Sequence, residues 1–169
     1  MNPGVWEYMA EVKQVRVEPL KRILGWDDVQ RNVEAIVDRL RDDYDTMLVI
    51  TRGGMIPACL ISEQLGIRNI IVAAVQFYTG IGVTLDSPVF LQFPADELLR
   101  GKSVLVIDDV WDSGRTAVAV RDRVFAAGGR PEVAVLHFKP RSSRYPGDAP
   151  DHYAELTDDW IVYPWDDER

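Results

Sequence analysis

The segment 104–116, VLVIDDVWDSGRT, constrains the fold more than any other part of the chain. Four consecutive apolar residues closed by a turn signal are typical of a strand buried on both faces, as in a parallel sheet. Asp108 and Asp109 end that run, and a loop of small hydrogen-bonding residues follows. Apolar residues then recur at helical spacing over 117–125, and two glycines at 128–129 end the helix. The segment therefore predicts a strand, an acidic pair, a short loop and a helix N-terminus, in this order.

These features predict a ligand with a phosphate at one end and hydroxyl groups beside it. Loop amides and the positive end of a helix dipole together form a favourable site for a phosphate. The carboxylates of Asp108 and Asp109 can accept hydrogen bonds from vicinal hydroxyls or help to hold a divalent cation through oxygen atoms. The alternative is a doubly wound domain in which the acids only cap the next helix. That alternative explains the glycine and the serine, but not both carboxylates followed by Ser-Gly-Arg-Thr.

A second loop of the same kind follows another short apolar segment. Residues 46–50 predict a buried strand, and Thr51, Arg52, Gly53 and Gly54 come directly after it, ahead of a second helix. Glycines let the backbone approach ligand oxygens closely, and arginine supplies a permanent cation suited to bidentate contact with phosphate. Taken alone, the segment predicts a tight strand–helix turn equally well.

The alternation of strands and helices predicts an α/β fold with a central, mostly parallel sheet flanked by helices. Residues 26–169 are predicted to form a single domain, and residues 1–25 an N-terminal extension of uncertain structure. The segment 76–94 is punctuated by glycine and proline and predicts a long loop with a hairpin arm near 89–91. A long excursion inside a compact domain is usually functional or disordered.

The composition of the chain excludes some classes of binding partner and favours one cellular compartment. The formal net charge of −8 disfavours nucleic-acid binding, which needs a basic face, and no apolar run approaches the roughly 20 residues of a membrane helix. The first residues lack the basic start and apolar segment of a secretory signal. Cys59 is the only cysteine, so no internal disulfide can form. We predict that it is a small buried side chain and that the protein is cytoplasmic.

Residues 104–116 resemble the signature for phosphoribosyl diphosphate (PRPP) of the type I phosphoribosyltransferases. That signature consists of a hydrophobic strand, two acids, two spacers, Asp or Ala, Thr or Ser, Gly, any residue and Thr, and this sequence matches it throughout. One spacer is Trp111, where a small or aliphatic residue is usual, and it packs either against the base pocket or in the core. The resemblance covers residues 26 to 166.

The resemblance implies roles for the residues of both loops. In this family the acidic pair, here Asp108 and Asp109, binds the ribose hydroxyls of PRPP and helps to hold Mg²⁺, directly or through water and ribose hydroxyls. Asp112 would be the general base near N7 of a purine. The 5′-phosphate would be bound by Ser113, Gly114, Arg115 and Thr116, and the pyrophosphate by Thr51, Arg52, Gly53 and Gly54, with a cis peptide bond between Thr51 and Arg52.

The C-terminal part is similar to the xanthine-guanine and hypoxanthine-guanine branch, through Phe-Lys-Pro at 138–140 and Trp-Ile-x-x-Pro-Trp at 160–165. In that branch a lysine reads O6 of a 6-oxopurine, an aromatic ring stacks on the base, and backbone beyond the ring meets the C2 side. These purine-binding roles fall here to Lys139, Trp160 and Ile161. A hood formed by the 76–94 loop and the C-terminal segment would close over PRPP, with Tyr78 as a contact. Without the resemblance, a core tryptophan and an exposed strand-end lysine explain the same residues.

The implied activity is Mg²⁺-dependent transfer of the 5-phosphoribosyl group from PRPP to xanthine, guanine or hypoxanthine, which yields a nucleoside 5′-monophosphate and pyrophosphate, as in purine salvage. The family commonly forms homodimers or homotetramers. Two alternatives stay open. One is a regulator on the same fold that senses PRPP or a nucleotide. The other is a phosphoribosyltransferase for another nucleobase, although a lysine that donates to the base argues against adenine.

Overall fold

The computed structural model describes residues 20–80 and 83–166, without the side chains of 78–80 and 83–86. The strands in these ranges are β1 (Lys21–Ile23), β2 (Thr46–Ile50), β3 (Ile70–Gly80), β4 (Val83–Gln92), β5 (Ser103–Trp111), β6 (Arg130–Phe138), β7 (His152–Leu156) and β8 (Trp160–Val162). Six of them form the main sheet in the order β4-β3-β2-β5-β6-β7. Neighbouring strands run parallel except for β3 and β4. The predicted α/β fold class is confirmed.

Helices cover both faces of this sheet. The described helices are α1 (Trp26–Val37), α2 (Met55–Leu65) and α3 (Arg115–Ala126), with a 3₁₀ turn at Asp96–Leu98. Strand β5 shows why its apolar run is continuous. Leu105 and Ile107 pack in the core beneath α1 and α2, while Val104 and Val106 pack in the core beneath α3. A strand covered on both faces needs apolar residues at consecutive positions, not alternating ones.

The segment 76–94 is more regular than the predicted loop. Most of it belongs to the antiparallel hairpin of β3 and β4, in which Gln76 pairs with Val89 and Phe77 with Pro88. Proline is tolerated there because β4 lies at the edge of the sheet. The hairpin arm is therefore confirmed, whereas the long loop around it is wrong. Tyr78 lies in β3, and its side chain is outside the described residues.

A second sheet joins the two ends of the described chain. Strand β1 pairs in parallel with β8, and Lys21 lies opposite Trp160. Leu24, just after β1, is buried in the core. The last residues of the segment 1–25 thus pack with the C-terminal segment, while residues 1–19 lie outside the described part of the chain.

The structure corrects the prediction for Cys59 and decides between the two predicted positions of Trp111. Cys59 is exposed, so the prediction of a buried thiol is wrong. It lies one position beyond the buried Ala58 on α2, and one helical step turns a side chain by about 100°. Trp111 is fully buried, which places it in the core rather than against the base pocket. Within the described ranges no helix is long and apolar enough to span a membrane.

Candidate active site

The acidic pair and the two loops surround one open cleft towards the carboxyl ends of β2 and β5. The chain crosses from β2 to β3 on one side and from β5 to β6 on the other, so this edge is the switch point where ligands bind in open α/β sheets. The cleft has a volume of about 1010 Å³. The predicted site residues that line it are Thr51, Arg52, Gly53, Asp108, Asp109, Thr116, Trp160 and Ile161.

The two carboxyl groups of the acidic pair are poorly solvated. Burial, reinforced by the charge of Asp109, raises the pKa of Asp108 well above its usual range. Burial likewise raises the pKa of Asp109 to about 6, and the charge of Asp166 acts in the same direction. The Asp109 amide donates a hydrogen bond of 3.0 Å to Oδ1 of Asp108 and so orients that side chain. Hydroxyl donors or a cation would stabilise the charged forms of both carboxyl groups. The pair is therefore suited to a ligand that brings hydroxyl groups or a cation.

The loop after β2 presses against this pair. A Cβ atom on Gly53 would lie 2.4 Å from Oδ1 of Asp109, and one on Gly54 would lie 2.4 Å from the carbonyl oxygen of Ile107. No side chain fits at either position unless the neighbouring group moves. The peptide bond between Thr51 and Arg52 is cis, as predicted. The glycines thus bring the backbone of the loop next to the carboxylates.

The loop after β5 begins helix α3 at Gly114. This residue has φ = +76°, and a Cβ atom on it would lie 2.4 Å from Nε1 of Trp111. Both the backbone conformation and the contact require glycine. Thr116 reaches the cleft, whereas Cζ of Arg115 lies 4.0 Å from the centroid of the Phe77 ring. The arginine side chain therefore packs on β3, and the amides and hydroxyls of this loop are the groups suited to an anion.

The predicted base-binding residues lie beside the cleft in one small group. Lys139 is only 6% exposed, and its Nζ lies 3.3 Å from Oδ2 of Asp112. The same Nζ lies 5.6 Å from the centroid of the Trp160 ring, which is 58% exposed. A buried ammonium, a carboxylate and an exposed aromatic face are thus brought together, and a flat heterocycle can stack on the free face. The explanations by a core tryptophan and by an exposed lysine are both wrong.

Several residues that were not predicted from the sequence also line the cleft. Strand β1 brings Lys21 there through its pairing with β8, a contact that no local sequence signal indicates. Trp165 and Asp166 follow the Trp-Ile motif directly, so their position beside it was the available signal. The cleft-lining residues that were not predicted are Lys21, Ile50, Val75, Val162, Trp165 and Asp166.

The donor set fits a magnesium ion that is shared with a substrate. Among the described residues, no group of three or more His, Cys, Asp or Glu side chains could hold a metal ion by itself. Mg²⁺ commonly binds through one or two carboxylates together with substrate phosphates. Asp108 and Asp109 provide two adjacent carboxylates on the floor of the cleft, which agrees with this mode of binding.

Comparisons with known proteins agree with this geometry. Residues 20–168 match the family model of the phosphoribosyl transferase domain. The chain is 32% identical over 148 residues to a xanthine-guanine phosphoribosyltransferase of Desulfotalea psychrophila, over 86% of each chain. The crystal structure of a purine phosphoribosyltransferase from Pyrococcus horikoshii matches with a TM-score of 0.78 and 34% identity, over 88% of this chain and 96% of that one. A hypothetical protein from Neisseria gonorrhoeae with bound ppGpp matches with a TM-score of 0.76 and 31% identity, over 89% and 91% of the two chains.

Proposed function

We propose, from the premise that this chain belongs to the phosphoribosyltransferase family, that it transfers the 5-phosphoribosyl group of PRPP to a 6-oxopurine. The acceptor would be xanthine, guanine or hypoxanthine, and the products a nucleoside 5′-monophosphate and pyrophosphate. One observation carries the proposal. A single cleft joins an acidic pair, two loops suited to phosphate groups and an aromatic face next to a buried lysine.

The acidic pair would bind the ribose of PRPP. Asp108 and Asp109 accept hydrogen bonds from its two hydroxyls and place negative charge beside the sugar ring. Positive charge develops on that ring as the bond to the leaving group breaks, so fixed carboxylates stabilise the transition state more than the ground state. Thr116 and the amides at the start of α3 would hold the 5′-phosphate, assisted by the helix dipole.

The loop of Thr51, Arg52, Gly53 and Gly54 would bind the pyrophosphate. Arg52 is exposed in the cleft and can contact two phosphate oxygens at once. Asp108 and Asp109 would hold Mg²⁺, which would supply positive charge to neutralise the departing diphosphate. The close approach of the loop to the acidic pair supports this assignment, because a leaving group held by the loop would lie next to the sugar.

The pair of Lys139 and Asp112 would recognise the purine and move its proton. O6 and N7 are neighbours on one edge of a 6-oxopurine, and the pair presents a donor and an acceptor 3.3 Å apart. Lys139 donates to O6, and Asp112 takes or relays the proton at N7. Adenine carries an amino group in place of O6 and would face the ammonium with a second donor. Trp160 stacks on the plane of the base, and the backbone at Ile161 binds its C2 side.

A pyrophosphate-release assay tests the proposal. The protein is supplied with PRPP, Mg²⁺ and, one at a time, xanthine, guanine, hypoxanthine, adenine, uracil and orotate. We expect turnover with at least one 6-oxopurine, loss of turnover with excess EDTA and recovery with added Mg²⁺. Failure with every base overturns the enzyme assignment. Faster turnover with adenine, uracil or orotate keeps the enzyme and overturns the role of Lys139.

A second candidate function is nucleotide sensing at the same cleft. It is favoured by the similar protein from Neisseria gonorrhoeae, whose structure contains ppGpp. That nucleotide combines a 6-oxopurine with diphosphate groups, which are the chemical groups the cleft would bind. Calorimetric titration with ppGpp together with the transfer assay separates the candidates, because a sensor binds the nucleotide and shows no transfer with any base, whereas an enzyme shows transfer.

A further inference from the structure

A buried chain of hydrogen bonds leads from helix α1 to the acidic pair. Nδ2 of Asn32 lies 3.3 Å from Nε2 of His137, and Nδ1 of His137 lies 2.9 Å from the hydroxyl of Tyr163. That hydroxyl donates a hydrogen bond of 3.0 Å to the main-chain carbonyl oxygen of Asp109. All three side chains are buried, and the chemistry proposed above uses none of them.

The hydrogen-bond roles in this chain follow from the carbonyl oxygen at its end. A carbonyl oxygen only accepts, so the single hydroxyl proton of Tyr163 points to Asp109. Nδ1 of His137 must then donate to the hydroxyl, which leaves Nε2 to accept from the amide of Asn32. Burial lowers the pKa of His137 to about 4, so its ring is neutral near pH 7. Every donor in the chain therefore points towards Asp109.

Tyr163 also belongs to the segment that carries the base-binding residues. It follows β8 directly, and its ring stacks on Trp165 with centroids 4.6 Å apart and planes inclined by 7°. Its amide donates to Oδ2 of Asp166 at 2.9 Å. Because β8 pairs with β1 and not with the main sheet, the hydroxyl of Tyr163 directly links the base side of the cleft to β5.

We infer that Tyr163 is a positioning residue, whose hydroxyl holds the base-binding segment and Asp109 in a fixed relation. The inference rests on the proposed function, in which a base held at Trp160 must meet a ribose held by the acidic pair. Alignment of this kind affects the rate of the chemical step, since small misplacements of bound reactants reduce turnover more than affinity. His137 and Asn32 support the hydroxyl and do not contact the substrates.

The test compares Tyr163→Phe with Tyr44→Phe. Both tyrosines are buried, at 4% and 7% exposure, and both hydroxyls donate hydrogen bonds. The hydroxyl of Tyr44 donates to Glu132, and neither residue lines the cleft. The phenylalanine at 163 keeps the ring that stacks on Trp165. Steady-state kinetics with PRPP and the preferred base, together with thermal melting, are measured for the wild type and both variants.

We expect Tyr163→Phe to lower kcat by roughly 10- to 100-fold while either KM changes by less than about 3-fold. Tyr44→Phe should melt at a lower temperature and keep the wild-type kcat. A kcat for Tyr163→Phe within twofold of the wild type overturns the inference, and so does an effect confined to KM or shared equally by Tyr44→Phe. An inactive wild type overturns the proposed function, and the inference with it.

A further variant keeps the inference testable if Tyr163→Phe does not fold. That substitution leaves Nδ1 of His137 without its acceptor, and a buried unpaired donor is costly. The triple variant Tyr163→Phe, His137→Leu and Asn32→Leu removes that donor and also the Asn32 amide that donates to His137. We expect it to fold and to show the same loss of kcat, whereas a wild-type kcat in the folded triple variant contradicts the positioning role.

Discussion

Replacing Asp109 by asparagine is expected to make the free protein more stable at neutral pH. Burial is the main reason that the pKa of this carboxyl lies at about 6 in the fold instead of at its usual 3.8. A difference of this size corresponds to at most about 3 kcal/mol of folding free energy lost on ionisation. Asparagine keeps the shape and carries no charge, and it also relieves the repulsion on Asp108.

The direction of the pH dependence of stability follows from whether the folded or the unfolded chain holds the proton of Asp109 more tightly. Because the pKa in the fold is raised, the wild type is most stable when Asp109 is protonated, below about pH 4, and loses stability as the pH rises through 6. The asparagine variant lacks this loss. Its advantage should therefore be small near pH 4 and complete above pH 7.

Urea unfolding followed by tryptophan fluorescence measures this difference. The wild type and Asp109→Asn are compared from pH 5 to pH 8, above the sequence pI of about 4.7, without PRPP or divalent cations. Between pH 5 and 6 the advantage of the variant should grow by about 1 kcal/mol, and above pH 7 it should no longer change with pH. Equal stability at pH 7, or an advantage independent of pH, would refute the reasoning from a desolvated charge.

Asp45→Asn is the matched control with the opposite sign. The amide of Ser103 donates a hydrogen bond of 2.8 Å to Asp45, and this bond is the main reason that the pKa of Asp45 is lowered. A lowered pKa means that ionisation stabilises the fold above the usual pKa and that this contribution is lost as the pH falls. Asp45→Asn should accordingly be less stable than the wild type at pH 7.

Three further predictions concern the loops and the base side of the cleft. Asp112→Asn should lower kcat by roughly 10²- to 10⁴-fold and leave PRPP binding almost unchanged; unchanged turnover in steady-state kinetics removes Asp112 from the proton-transfer role. Gly114→Ala should lower both the melting temperature and PRPP affinity more than Gly147→Ala does. Both glycines have positive φ, but only at 114 would a Cβ atom meet another group, Nε1 of Trp111, so equal effects in thermal melting and calorimetry contradict the contact. Trp160→Ala should raise KM for the base by roughly 10-fold or more through lost stacking and leave KM for PRPP almost unchanged, which initial-rate kinetics with each substrate varied will show.

The sugar and phosphate side of the site could be predicted from sequence because its signals are local. The apolar run, Asp108, Asp109 and the loop that begins α3 follow one another along the chain. Covalent order and the geometry of a strand followed by a helix nearly fix their relative positions. The loop after β2 is similar, and parallel pairing of β2 with β5 brings the two loops to one edge.

The errors arose where local signals and long-range pairing disagree. Glycine and proline in 76–94 indicate a loop, but pairing across the hairpin of β3 and β4 extends both strands, and an edge strand accepts Pro88. Cys59 is a residue type that is usually buried, yet its position on α2 turns it to the surface. In both cases tertiary context decided against residue preference.

The sequence alone determined the order of strand, acids, loop and helix, because each signal acts over a few neighbouring residues. Tertiary structure decided which distant residues meet in the cleft or beside it. Lys139 meets Asp112 across 27 residues, and the hydroxyl of Tyr163 meets Asp109 across 54. Such contacts depend on how strands pair and how the C-terminal segment packs against β1. These are properties of the whole folded chain, and no local stretch of sequence encodes them.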